Sequence, residues 1–119
     1  MHLTPEMLRA CYDFLRTTPP FCFRGWGLPP GDEVEFAVNI TRRWMGVHTN
    51  TRWRKDHFIG ISTTRVSHVS TLVETMAHEM DHAVQLENGG WTPNAEHNQD
   101  FYRRARIICR YHGWDPKAF

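Results

Sequence analysis

Residues 70–90 read STLVETMAHEMDHAVQLENGG, and the rest of the chain is best read outward from them. Leu72, Val73, Met76, Ala77, Met80, Ala83 and Val84 recur at helical spacing, which predicts an amphipathic helix with its apolar stripe turned to a core. Ser70 is the expected cap, and Gly89-Gly90 after Asn88 are the expected stop. Inside this helix His78-Glu79-Met80-Asp81-His82 forms an H-E-x-x-H pattern, with both histidines off the Leu72, Met76, Met80 stripe. Two histidines four apart stand about 6 Å apart along a helix axis, so both imidazoles can reach one Zn²⁺. Glu79 then projects beside the ion, placed to take a proton from a polarised water and return it to a leaving amine. Two surface histidines would show the same spacing; the agreement of periodicity, stop signal and motif favours the metal site.

A catalytic zinc needs a third protein ligand and one open position. The metzincin continuation requires Gly at position 85 and His at 88, and Gln85 and Asn88 stand there instead. Two candidates follow downstream. His97 comes 15 residues after His82, while Glu96, with Asp100 four further on, gives the E-x-x-x-D spacing of gluzincins. His97 is the preferred ligand; an acidic residue just before a helix N-terminus is accounted for by the helix dipole alone.

A third helix is expected from His97 or Asn98 to Tyr111, with Phe101, Ala105, Ile108 and Tyr111 inward, Arg103, Arg104, Arg106 and Arg110 outward, and Gly113 as its stop. The first helix should start at Thr4, with Pro5 at its first position, and run to about Thr17 with Leu8, Cys11, Phe14 and Leu15 as its stripe. From Pro19 to Gly31 prolines, glycines and the aromatics Phe21, Phe23 and Trp26 describe an anchored loop. Val34, Phe36, Val38 and Ile40 alternate as in a half-buried strand, a second strand is expected across Trp44 to Thr51, and a third over His57 to Ser62. Their short spacings suggest a meander. The fold class expected is α+β, about three helices packed on a small, mostly antiparallel sheet of three to four strands.

At 119 residues with 40% apolar and 13% aromatic composition the chain suits a single domain, 1–119. A net charge of +1 excludes a strongly basic nucleic-acid binder or an acidic tail. Charge is nevertheless segregated: residues 67–100 hold six acidic and no basic residues, and four of the eight histidines, as a divalent-cation site would. Cys11, Cys22 and Cys109 contain no C-x-x-C pair, which argues against a disulfide framework or thiolate zinc ribbon and for core thiols in a reducing cytoplasm. Glu6, Arg9, Asp13 and Arg16 interrupt any apolar leader, and no run is long enough to span a bilayer. We therefore expect a cytoplasmic monomer with no membrane partner.

The succession Ile59-Gly60-Ile61-Ser62, then Thr75-Met76-Ala77-His78-Glu79-Met80-Asp81-His82-Ala83, then His97-Asn98-Gln99-Asp100-Phe101 resembles the SprT-like (Spartan) zinc metallopeptidases. The resemblance spans roughly residues 4–112 and is specific from Ile59 to Phe101. It implies a minimal zincin fold, zinc on His78, His82 and His97, Glu79 as catalytic base, and protein substrates, some crosslinked to DNA in the family's case. Asn98 stands where members often carry Gly, and Ala77 where they carry Leu. The Cys-rich ribbon or DNA-binding tail of many members has no counterpart here.

Smaller signals complete the reading. Asp81 or Glu74 is spaced to orient an imidazole. His57 and His68 flank the site as candidates for substrate or oxyanion contact, though a hydrogen-bonded histidine is the simpler account. Tyr102 and Tyr111 are phenol donors, one of them expected in the core. Arg42, Arg43, Arg52, Arg54 and Lys55, interleaved with Trp44 and Trp53, pair cations with stacking rings as single-strand binders do, so weak DNA contact is one expectation. A hairpin with one wet face gives the same pattern. The reading is a zinc endopeptidase whose substrate strand lies antiparallel along His57 to Ser62; the alternative is a non-catalytic DNA-associated module with a structural zinc.

Overall fold

The computed structural model describes residues 2–49, 57–92 and 95–119. Helices α1 (Pro5–Arg16), α2 (Val69–Glu87) and α3 (Gln99–His112) combine with strands β1 (Val34–Asn39), β2 (Gly46–Thr49) and β3 (His57–Ser62), an α+β arrangement. Thr4 caps α1 by accepting from the Met7 amide at 3.2 Å, with Pro5 next. Its buried stripe is Leu8, Tyr12 and Leu15 rather than one containing Phe14, which is 59% exposed. Tyr12 can be fully buried because its hydroxyl donates to the Pro29 carbonyl at 2.6 Å. The loop that follows α1 is tied back to it, Asp13 Oδ1 accepting from the Gly31 amide at 2.9 Å.

The strands form one sheet in the order β1-β3-β2, β1 parallel and β2 antiparallel to β3. The expected meander and mostly antiparallel pairing are thus corrected to a mixed sheet. A cause lies in β3, where five of six residues are buried: a strand covered on both faces belongs between two neighbours. β1 and β2, only partly buried, take the edges. Ile40 lies beyond β1 and is 80% exposed, and the second strand begins at Gly46 rather than Trp44, residues 50 and 51 of its expected span lying outside the described residues.

Phe36 of β1 meets the Tyr12 ring edge-on at 5.4 Å, so the face carrying Val34, Phe36, Ile59 and Ile61 looks at the helices. On that face β2 comes close to α2. A Cβ on Gly46 would stand 2.8 Å from Thr75 Cγ2 and 3.0 Å from Glu79 Cγ, so glycine is required for the approach.

α2 starts after His68, whose side chain makes no capping bond; Ser70, the expected cap, is already inside the helix. Its end follows expectation, with Gly89 at φ +73° and the Gly90 amide donating to the Gln85 carbonyl at 2.9 Å. From Met76 to Gln85 every residue except His78 is buried, because the helix is enclosed by the sheet, α1 and α3. No helix among the described residues is long and apolar enough to cross a membrane.

α3 is capped by Asn98, whose Oδ1 accepts from the Phe101 amide at 3.1 Å, and is stopped by Gly113 in the left-handed conformation. Two expectations fail on it. Arg104 is buried, its Nε donating to Asp81 Oδ1 at 2.7 Å and its guanidinium also bound to Asp100, while Tyr111 is 54% exposed and Cys109 takes the inward position. Tyr102 too is exposed, so neither tyrosine is core, and Cys22 is exposed while Cys109 is buried.

Candidate metal centre

The local geometry of α2 puts His78 and His82 one turn apart, ring centroids 5.1 Å from each other. The loop between α2 and α3 returns His97 to the same place, Nε2 lying 3.1 Å from His82 Nε2 and 3.3 Å from His78 Nε2. Beneath them Phe101 stacks on His82 at 4.5 Å and meets His78 and His97 at 5.0 and 4.9 Å. Among the described residues these three histidines are the one group whose donor atoms, all within 4.8 Å of each other, could hold a metal ion. Glu96, the alternative ligand, stands exposed at the cavity rim and is not in that group.

The second nitrogen of each α2 histidine determines what the first one offers. His78 Nδ1 lies 2.8 Å from the Phe119 carbonyl, which can only accept, so Nδ1 carries the proton and Nε2 a lone pair. His82 Nδ1 lies 3.0 Å from Gln85 Oε1. Gln85 is oriented by its amide nitrogen, which donates to the Glu96 carbonyl at 2.8 Å and to Asn98 Oδ1 at 3.0 Å, so Oε1 faces His82 and accepts. His82 Nε2 is therefore a lone pair as well. Two of the three converging Nε2 atoms are thus lone pairs turned to one point, a donor arrangement suited to a cation. Burial first, then the neighbouring histidines, pushes His78 and His82 down to about 4, which keeps both rings neutral and ligand-competent near neutral pH.

Glu79 borders the cluster at 4% exposure, and its Oε2 is buried without a hydrogen-bond partner. Burial, helped by the charge of Glu96, pushes its carboxyl up to about 8. Such a group is costly to bury and fits a neighbouring cation. The donor set, three nitrogens beside an unpartnered carboxylate, could hold a metal ion.

Two cavities meet at His78 and Glu79. One of about 160 Å³ is lined by Gly46, Val47, His48, His78, Glu79, His82, Glu96 and His97. A larger one, about 390 Å³, is bounded by Met45, Gly46, Thr71, Glu74, Thr75, His78, Glu79, Ala118 and Phe119.

Several sequence expectations are relocated. Asp81 points to Arg104 and Glu74 lines the large cavity; the groups that orient the imidazoles are Gln85 and the Phe119 carbonyl. His68 is exposed ahead of α2, and His57 is buried against His48 and Glu87. β3 is paired on both edges, so a substrate strand along His57 to Ser62 has no free edge; among the described residues the outer edge of β2 is open. Arg42 and Arg43 are exposed, whereas Arg52, Trp53, Arg54 and Lys55 lie outside the described residues. His48 was missed from the sequence, Phe101 was expected only as an inward residue of α3, and Gln85 was noted only as a departure from the metzincin pattern. Asn98 was noted only as a departure, although its cap position and its place after His97 were the signal for it. Compared with family models, with curated proteins and with solved structures, the chain finds no match.

Proposed function

We propose that this chain is a zinc-dependent endopeptidase of the SprT-like kind, with His78, His82 and His97 as the ligands and Glu79 as the general base. The observation that carries the reading is the convergence of three imidazole Nε2 atoms at 3.1 and 3.3 Å beside the partnerless buried Oε2 of Glu79. Bound there, zinc supplies Lewis acidity toward a carbonyl oxygen and lowers the pKa of a water. Glu79, whose Oε2 is buried at the cavity without a hydrogen-bond partner, is placed to accept a proton from that water and hand it to the departing nitrogen. The open edge of β2 supports an extended peptide by strand addition, which brings a scissile bond over the small cavity and a neighbouring side chain over the large one. Gln85 and Asn98, the residues that depart from related patterns, tie the loop bearing His97 to α2, Asn98 Nδ2 also donating to the Gly90 carbonyl at 2.8 Å. Three free cysteines suit a cytoplasmic setting. The basic residues near Arg42 carry no part of this reading.

The test combines elemental analysis with cleavage of an unfolded protein. Wild type should hold one zinc per chain and cleave; His97→Ala should lose the zinc and Glu96→Ala keep it. Glu79→Gln should keep the metal and lose about 10²- to 10⁴-fold in rate. Equal cleavage by wild type and Glu79→Gln, or zinc lost with Glu96 and not with His97, overturns the assignment.

A further inference from the structure

A second pair of histidines stands on the sheet beside the small cavity, and one of them, His48, lines it. His48 of β2 and His57 of β3 are diagonal neighbours on the face turned to α2, His48 Nε2 lying 2.8 Å from His57 Nδ1. His57, only 1% exposed, continues through Nε2 to Glu87 Oε1 at 2.6 Å, and the Glu87 side chain, in the last residue of α2, is 36% exposed. His48 lines the cavity that His78, Glu79, His82 and His97 share. The result is an unbroken hydrogen-bonded chain from the cavity through the interior to the surface.

Its proton order follows from its end. An ionised Glu87 only accepts, so His57 donates through Nε2 and keeps a lone pair at Nδ1. That lone pair accepts from His48 Nε2–H, leaving His48 Nδ1 as a lone pair with no partner among the described residues.

We propose that His48, His57 and Glu87 form a proton exit path for the peptidase reaction, with His48 as the group that takes the proton in the cavity and His57 and Glu87 as positioning and relaying residues. The inference rests on the peptidase reading above. Amide hydrolysis splits one water: Glu79 gives its first proton to the departing nitrogen, and the second stays on the new carboxyl group. His48 Nδ1 takes that second proton, the O–H bond breaking as Nδ1–H forms. His48 then releases its Nε2 proton to His57 Nδ1, His57 releases its Nε2 proton to Glu87, and Glu87 loses it to solvent. The product leaves as a carboxylate, and each ring has exchanged one N–H for the other; with the cavity open again, a proton from solvent returns through Glu87 to His57 Nε2, His57 Nδ1–H passes to His48 Nε2 and His48 Nδ1–H is lost to cavity water, which restores the resting order. A substrate lying along β2 covers the cavity, so a path through the interior keeps proton release possible while the mouth is closed.

Imidazole ¹⁵N NMR of the intact zinc-loaded chain reads the proton order without reference to activity. Both His48 and His57 should carry the proton on Nε2; the opposite tautomer at either ring overturns the path, whatever the protein cleaves. Kinetics on an unfolded protein read its use. Glu87→Gln retains an oxygen that accepts from His57 but takes no proton, so it should keep zinc, melting temperature and tautomers while kcat falls about tenfold or more with KM nearly unchanged. His48→Gln should give a similar loss, and the double variant should be no slower than the slower single one, since both interrupt one path. Wild-type kcat in Glu87→Gln, or losses that multiply in the double variant, overturn the proposal. If wild type holds zinc and cleaves nothing, the peptidase reading fails and this role falls with it, a result distinct from an active wild type with an unaffected Glu87→Gln.

Discussion

On one side of α2, Asp81 is fully buried, its Oδ1 bound 2.7 Å from Arg104 Nε; on the other, Glu79 is 4% exposed and its Oε2 has no partner. Both are carboxylates from one helix, two residues apart. The Asp81 charge is met by a guanidinium from α3 that also binds Asp100, so it ties two helices together, although its own Oδ2 is left without a bond. Nothing in the described chain meets Glu79 in that way; burial pushes its carboxyl up to about 8, and a bound cation would compensate its charge. A buried polar group that is paired within the chain supports the fold, and one left open beside converging lone pairs marks a site.

The strongest way to break this comparison is to strand the paired carboxylate. Arg104→Met leaves Asp81 buried without its counter-charge and should cost about 3–5 kcal/mol in denaturant unfolding, with much of the loss recovered by adding Asp81→Leu. A cost well under that range would mean the ion pair does not hold α2 to α3.

A smaller effect is expected from the group that orients His82. Gln85→Ala removes the acceptor at Nδ1 and should weaken zinc about 10- to 100-fold in competition with a chelator. Unchanged affinity would show that the tautomer is held by something else.

A pH-dependent effect concerns Glu79 in chelator-stripped protein. Its folded carboxyl is raised to about 8, so the stability it contributes is fully present below the ordinary glutamate range and is lost as pH rises through about 8. Glu79→Gln removes that slope and should gain on wild type across this window, read from melting temperature against pH. Parallel profiles would place Glu79 in a solvated setting and remove the contrast with Asp81.

The helices and the cluster were legible because their signals are local. The spacing of His78 to His82 is enforced by helix geometry, the Leu72 to Val84 periodicity is strong, and Asn98 and Gly113 bound α3 within a residue of expectation. Where reading failed, the deciding partner lay far along the chain. Arg104 looked solvent-facing because Asp81 is 23 residues away, and Tyr12 was passed over because its hydroxyl acceptor, Pro29, is 17 away.

By itself the sequence determined three helices, three strands, an α+β class, and a histidine pair one turn apart with an acid beside it. Periodicity and capping depend on neighbours within a few residues, and those are written in order along the chain. Tertiary structure alone decided that β3 lies between β1 and β2, that the Gln85 amide and the Phe119 carbonyl select the protonated nitrogens of His82 and His78, and that His48 joins His57 and Glu87 in a line from the cavity to the surface. Each of those depends on which distant groups share a burial site, and burial is settled only when the layers close on one another.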